Sequence, residues 1–220
     1  MSKAEVLQQI KEVGLLPVLR ATSIEEALAI AEAIEAGGIT VLEITMTVPG
    51  ALELIRDMVR KRGDRLLIGA GTVLDPETAR TCILAGAAFI VSPALNLRTI
   101  EICHRYGVAV LPGALTPTEV VTAWEAGADV VKVFPCSALG GASYLKALKA
   151  PLPQIELIPT GGVSLSTAAT FLEAGAFALG AGSDLVNSSA ITQGKPEIIT
   201  EQAQRYRRVI QEFHSANRRA

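Results

Sequence analysis

Short apolar runs recur along the chain, and each is followed by a longer stretch whose apolar positions have helical spacing. The runs are Leu16–Arg20, Val41–Met46, Leu66–Ala70, Phe89–Ser92, Ala109–Leu111, Val130–Phe134, Glu156–Pro159 and Phe177–Gly180. Runs of this length separated by roughly 10–15 residues of helical pattern are the sign of βαβ units and a parallel sheet. After the first run, Ser23 can cap a helix and form a capping box with Glu26. Ile24, Ala27, Leu28, Ala31 and Ile34 then share one face, and Gly37-Gly38 ends the helix. Similar triplets (Ala85-Gly86-Ala87, Ala126-Gly127-Ala128, Ala174-Gly175-Ala176) precede later runs at a spacing of two βα units. Glycine there can take the left-handed conformation that closes a helix before a strand. Residues 2–13 are expected to add a helix before the first strand. Residues 196–214 are expected to form a final amphipathic helix with Ile199, Ala203, Tyr206, Ile210 and Phe213 on one face.

Eight βα units in 220 residues fit a single domain over residues 1–220, a (β/α)8 TIM barrel with an additional N-terminal helix. A doubly wound open sheet is the competing α/β architecture, but no GxGxxG follows the first run. Composition narrows the class further. Half the residues are hydrophobic and 19% are charged, so a large core can form and disorder is excluded. Aromatics are only 4%, which leaves Ala, Val, Leu, Ile and Gly to build that core. A net charge of −2 with no long run of one sign argues against a general nucleic-acid binder. No uninterrupted apolar stretch has membrane-spanning length, and the first residues hold no apolar signal core. Three well-separated cysteines with no CxxC suit a reducing cytoplasm.

Three charges break the strand pattern. Parallel strands covered by helices read as nearly continuous apolar runs, yet Lys132, Glu43 and Arg20 interrupt or end theirs. By the period of two, Lys132 shares a face with Phe134 and Glu43 with Thr45. The helix-facing side must stay apolar, so these charges are expected to point inward and reach one another. A structural ion-pair network is the plainer account, since buried charges need partners. Their position in the C-terminal halves of the strands, where barrel active sites are built, favours chemistry. In a dry site an amine is driven toward its neutral, nucleophilic form. A neighbouring cation adds to that drive and a neighbouring carboxylate opposes it. Such a lysine can form a Schiff base with a keto acid while a carboxylate shuttles protons, as in a class I aldolase. The two histidines, His104 and His214, lie away from strand ends. A histidine-bound metal and a Ser-His-Asp site therefore both lack their parts, and neither metal nor cofactor is expected.

The strand ends carry small residues. Gly69-Ala70-Gly71-Thr72 follows the third run; its small residues are expected to let a ligand approach the backbone, and the Thr72 hydroxyl can bind a carboxylate. Thr160-Gly161-Gly162 follows the seventh and Gly180-Ala181-Gly182-Ser183 the eighth. Barrels often hold phosphate on these two loops through backbone N–H groups. Pro93 and Pro135 stiffen the rim, Phe134 can wall off the lysine, and Cys136 reads as a bystander.

With these residues in place, the chain resembles the 2-keto-3-deoxy-6-phosphogluconate (KDPG) and 4-hydroxy-2-oxoglutarate (KHG) aldolases. The motifs that carry the likeness are Pro17–Arg20, Val41–Thr45, Ile68–Thr72, Val91–Pro93, Leu111–Gly113, Lys132–Pro135, Pro159–Gly162 and Gly182-Ser183. The resemblance implies a homotrimer of (β/α)8 barrels. It also implies metal-free, reversible cleavage of a phosphosugar acid to pyruvate and D-glyceraldehyde 3-phosphate. It makes Lys132 the Schiff-base lysine and Glu43 the general acid/base. Thr72 becomes a ligand of the pyruvate carboxylate, Pro93 and Phe134 pocket walls, and Gly161, Gly162 and Ser183 the phosphate site. Thr160 matches the gluconate-type members. Many members also carry an arginine at the position of Thr47. Here Arg20, as in the galactonate-type subgroup, is expected to replace it and grip the pyruvate carboxylate. Both C4 configurations therefore stay open. Two rivals also remain: a non-covalent phosphosugar isomerase or epimerase, and a non-catalytic phosphosugar-binding barrel.

Overall fold

The computed structural model describes residues 1–217. Its strands are β1 (Leu15–Leu19), β2 (Val41–Thr45), β3 (Leu67–Gly71), β4 (Phe89–Val91), β5 (Ala109–Leu111), β6 (Gly113–Ala114), β7 (Val131–Val133), β8 (Leu157–Pro159) and β9 (Leu179–Ala181). Its helices are α1 (Lys3–Val13), α2 (Ile24–Ala36), α3 (Ala51–Arg62), α4 (Pro76–Leu84) and α5 (Leu97–Arg105), then α6 (Pro117–Glu125), α7 (Ala142–Lys149), α8 (Ala168–Glu173), α9 (Ser188–Thr192) and α10 (Glu197–Asn217). This is an α/β fold with parallel strands throughout.

The strands lie in two sheets, ordered β5-β4-β3-β2-β1-β9 and β6-β7-β8. Only Pro112 separates β5 from β6. Proline lacks the N–H a ladder needs, yet its carbonyl still accepts from the Lys132 N–H at 2.9 Å. At the other edge, a parallel bridge joins Thr160, just after β8, to Gly180 of β9.

The period of two sorts the core into two parts. Leu16, Val41, Leu67, Phe89, Leu111, Val130, Ile158 and Ala178 form one cluster with Val6 and Ile10 of α1. These come from strands all along both sheets, so the sheets curl around a common interior and α1 closes its lower end. The alternate residues, including Leu15, Leu42, Ile68, Val110 and Leu157, pack outward against the helices. On α10, Ile199, Ala203, Tyr206 and Ile210 are buried. Gly37 lets that helix dock closely, since a methyl there would meet the Ala203 Cβ at 2.4 Å.

The local signals have physical counterparts. Gly38, Gly86, Gly127 and Gly175 all take positive φ between helix and strand. Ser23 caps α2 by accepting from the Glu26 N–H. The expected reciprocal bond of a capping box does not form. The Glu26 carboxylate instead accepts from the Thr22 N–H at 2.7 Å and from its hydroxyl at 2.6 Å. Thr22 offers two donors where Ser23 offers one backbone N–H, so the carboxylate turns there.

Candidate active site

Inward phase brings two of the three predicted charges together, while Arg20, one residue past β1, is exposed at the rim instead of pointing inward. Glu43 stands at the middle of β2 and Lys132 at the middle of β7, across the interior from each other. The Lys132 Nζ lies 3.7 Å from the Glu43 Oε1, with side chains 5% and 1% exposed. That separation is an ion pair but too long for a hydrogen bond. Among the described residues the Glu43 Oε1 is buried without a hydrogen-bond partner. Removal from water dominates its chemistry and raises its pKa above the ordinary 4.5, while Lys132 and then Arg20 pull it back down. The Phe134 ring, half-buried at the mouth, lies with its centroid 5.5 Å from the Lys132 Nζ.

Close approaches hold this geometry. Gly71 pairs with Thr45 in register, and a methyl on it would sit 1.9 Å from the Glu43 Oε1. The carboxylate therefore lies directly over Gly71. Gly71 had been expected to make room for a ligand; its space is taken by Glu43. Gly69 likewise makes room for the Phe89 ring, which a methyl would meet at 2.1 Å. Gly113, beside Lys132 in register, lets the Pro93 backbone approach to within 2.3 Å of where its Cβ would be. Thr72 follows Gly71 with φ +55, a left-handed conformation that threonine rarely adopts. Glycine-to-alanine substitution at position 71 is expected to displace the carboxylate. It should lower kcat by on the order of a hundredfold. Unchanged kcat in that variant would remove Glu43 from the chemistry.

A cleft of about 90 Å³ adjoins the pair through Phe134, whose ring lies 5.5 Å from the Lys132 Nζ. Arg20, Phe134, Thr160, Gly161, Gly162 and Ser183 line it. Six of the ten expected site residues thus meet in one cavity. Lys132, Glu43, Thr72 and Pro93 do not line it; Lys132 adjoins it through the Phe134 ring, and Thr72 and Pro93 follow the ends of β3 and β4. Gly161 and Gly162 take φ of +88° and +77°. Among the described residues, the Gly162 and Ser183 N–H groups carry no hydrogen bond within the chain. Such free N–H groups on a glycine-rich rim suit an anion. The Arg20 guanidinium is exposed on the same rim, 3.8 Å from where a Gly182 Cβ would stand.

Some contributors were not read from the sequence. Thr45 is fully buried and donates to the Leu19 carbonyl at 2.9 Å, fixing the strand end that carries Arg20. Its only proton is then used, so Thr47 donates to Thr45 across 2.7 Å. Gly113 and Gly180 were also missed as spacers. Their inward phase was the available signal, since Gly180 faces Thr160, whose Oγ1 a methyl would meet at 2.1 Å. Cys136 is buried, and desolvation pushes its thiol up to about 11, too high for a nucleophile at neutral pH. His104 spends its ring on the Gly127 carbonyl at 2.8 Å, far from this cleft.

A buried lysine–carboxylate pair inside curled parallel strands, next to a glycine-rich cleft, suits an enzyme of the imine-forming aldolase class. Comparison with known proteins agrees. The family model for KDPG and KHG aldolase matches residues 6–202. The 2-dehydro-3-deoxy-6-phosphogalactonate aldolase of Escherichia coli K12 is 36% identical, over 93% of this chain and 100% of its own. The 2-dehydro-3-deoxy-phosphogluconate aldolase of Treponema pallidum is 33% identical, over 93% and 97% respectively. A solved KDPG aldolase from Legionella pneumophila, with pyruvate captured as a covalent carbinolamine, superposes with a TM-score of 0.82 at 30% identity. The match covers 90% of this chain and 96% of that one. The chain belongs to the KDPG and KHG aldolase family, and it is a carbon–carbon lyase.

Proposed function

We propose that the protein reversibly cleaves 2-keto-3-deoxy-6-phosphogluconate to pyruvate and D-glyceraldehyde 3-phosphate, and that 4-hydroxy-2-oxoglutarate is a second substrate. The carrying observation is the 3.7 Å Lys132–Glu43 pair, joined through Phe134 to a cleft lined by Gly161, Gly162 and Ser183. In its neutral form the Lys132 amine attacks the C2 carbonyl, and the carbinolamine loses water to give a protonated imine. Glu43, directly or through a water, takes the C4 hydroxyl proton. The C3–C4 bond breaks, its electrons pass into the imine as an enamine, and the aldehyde leaves. Protonation of C3 and addition of water return pyruvate and free lysine. Thr72 holds the pyruvate carboxylate, Pro93 and Phe134 wall the pocket, and the loop N–H groups hold the phosphate. No metal or cofactor has a step here.

The scaffold for this chemistry is a single (β/α)8 barrel with α1 as an extra lower cap. The continuity of β5 and β6 through Pro112 and the Thr160–Gly180 bridge support counting eight strands in a closed ring. The barrels assemble as a homotrimer in the cytoplasm. Leu74, after β3, and Leu97, the first residue of α5, are 57% and 50% exposed and linked by the Asn96 side chain's bond to the Leu74 carbonyl, and they support a contact between copies. Sedimentation of the purified protein tests the trimer, and a monomer at all concentrations would reject it.

Trapping tests the chemistry. Pyruvate followed by borohydride should leave a reduced adduct on Lys132, located by peptide mass spectrometry. A folded, active protein with no adduct would favour the non-covalent isomerase.

Arg20 is proposed to grip the pyruvate carboxylate in place of the arginine missing at Thr47. Its substitution by alanine should raise KM for pyruvate about tenfold or more, the scale of a lost charge-assisted hydrogen bond. Measured in the condensation direction, an unchanged pyruvate KM with a raised aldehyde KM would move Arg20 to the phosphate end.

A further inference from the structure

The C-terminal helix reaches the anion rim through a buried hydroxyl. Tyr206 of α10 is fully buried, and its hydroxyl donates to the Asp184 Oδ2 at 2.6 Å. Burial and the Asp184 carboxylate push the phenol above its ordinary value, so it remains a donor. Gln202, one turn earlier, donates to the same oxygen at 3.0 Å. Asp184 directly follows Gly182-Ser183, two residues that line the cleft while Asp184 does not. The Leu185 and Val186 N–H groups both donate to the Gly182 carbonyl, at 3.0 and 2.8 Å, which closes the segment into a tight turn. Within this turn Ser183 faces the cleft and the Asp184 carboxylate turns away toward α10. A carboxylate beside a phosphate dianion would repel it, so the direction in which Asp184 is held matters.

We infer that Tyr206 is a positioning residue for the phosphate end of the site. Its hydrogen bond, backed by Gln202, holds Asp184 away from the cleft and fixes Gly182 and Ser183 as the anion-facing part of the turn. The inference rests on the reading of that rim as the phosphate site. Tyr206 touches neither substrate nor Lys132, so its effect must fall on the phosphorylated partner alone.

The test is condensation kinetics of the full chain with pyruvate and two acceptors that differ only in the phosphate, D-glyceraldehyde 3-phosphate and D-glyceraldehyde. In Tyr206→Phe, KM for the phosphorylated acceptor should rise about tenfold. KM for pyruvate and kcat/KM for D-glyceraldehyde should stay at wild-type values. Adding Asp184→Asn to that variant removes the freed charge and should recover most of the loss. Asp184→Asn alone retains a carbonyl oxygen for Tyr206 and should stay near wild type. Equal losses with both acceptors, or no rescue, would make Tyr206 a general packing residue and overturn the inference. If Tyr206→Phe does not fold, Gln202→Leu on the helix surface removes the second donor. It should raise the same KM by a smaller factor, and an unmoved KM there overturns the inference. A wild-type enzyme with no preference for the phosphorylated acceptor would overturn the phosphate reading itself. A clear preference with no acceptor-specific change in Tyr206→Phe overturns only the role of Tyr206.

Discussion

Replacing Lys132 by alanine is expected to abolish aldol cleavage, with a loss of roughly 10⁴-fold or more in kcat. The lysine supplies the only covalent route by which electrons from the C3–C4 bond can be stored, and no neighbouring amine can take over. Among the described residues, Lys132 is the one lysine buried against the carboxylate inside the barrel-like interior. Arg20, on the rim, carries a guanidinium rather than an amine that could form an imine. The variant should fold, because the truncation removes a buried charge and leaves the pairing of β7 with β6 and β8 intact. Its cost is the Glu43 carboxylate left without its partner, and the raised pKa lets that group take up a proton instead. The same variant should give no borohydride-stable pyruvate adduct. Turnover above a trace in a folded Lys132→Ala protein would end the Schiff-base mechanism.

The second large effect is expected at Glu43. Replacement by glutamine should lower kcat by about 10² to 10⁴, the range for losing a general acid/base. Trapping of pyruvate on Lys132 should survive in part, since the amine keeps its place. Loss of all trapping would make the residue structural. The wild-type pH profile carries the same assignment. A base works ionised, and burial lifts the Glu43 pKa above 4.5. The acid limb of kcat/KM should therefore lie at higher pH than for an exposed glutamate, and Glu43→Gln should flatten it. The linkage has a definite sign for stability as well. The folded carboxyl holds its proton more tightly than the unfolded one. It favours the folded state most below 4.5, and that contribution is lost as pH rises through the raised value. Above that value the buried carboxylate is carried at a cost to folding, as a residue kept for chemistry would be.

Much of this site was legible before any fold was known because a strand has period two. Val41, Glu43 and Thr45 must share one face, and so must Val130, Lys132 and Phe134. A charge at the centre of such a triplet has nowhere to go except the interior. The glycine-rich ends after the seventh and eighth runs were legible as parts of one rim, and Thr160–Gly162 with Gly180, Gly182 and Ser183 do line one cleft. The same reasoning erred where two glycines were read as room for a ligand. Gly69 and Gly71 are filled by the Phe89 ring and the Glu43 carboxylate. The space a missing side chain leaves depends on what the neighbouring strands aim into it, and that depends on register.

The sequence alone therefore determined the order of elements, the two faces of each strand and the kind of chemistry the inward charges can do. These follow from local rules: backbone period, helix caps and the cost of burying charge. Only the tertiary structure decided which side chains meet. It set the 3.7 Å between Lys132 and Glu43 and brought Arg20 to the rim beside Gly182. It also bound Tyr206 to Asp184, 22 positions apart in the chain. Such distances come from the register and curl of strands far apart in sequence, and no local pattern encodes them.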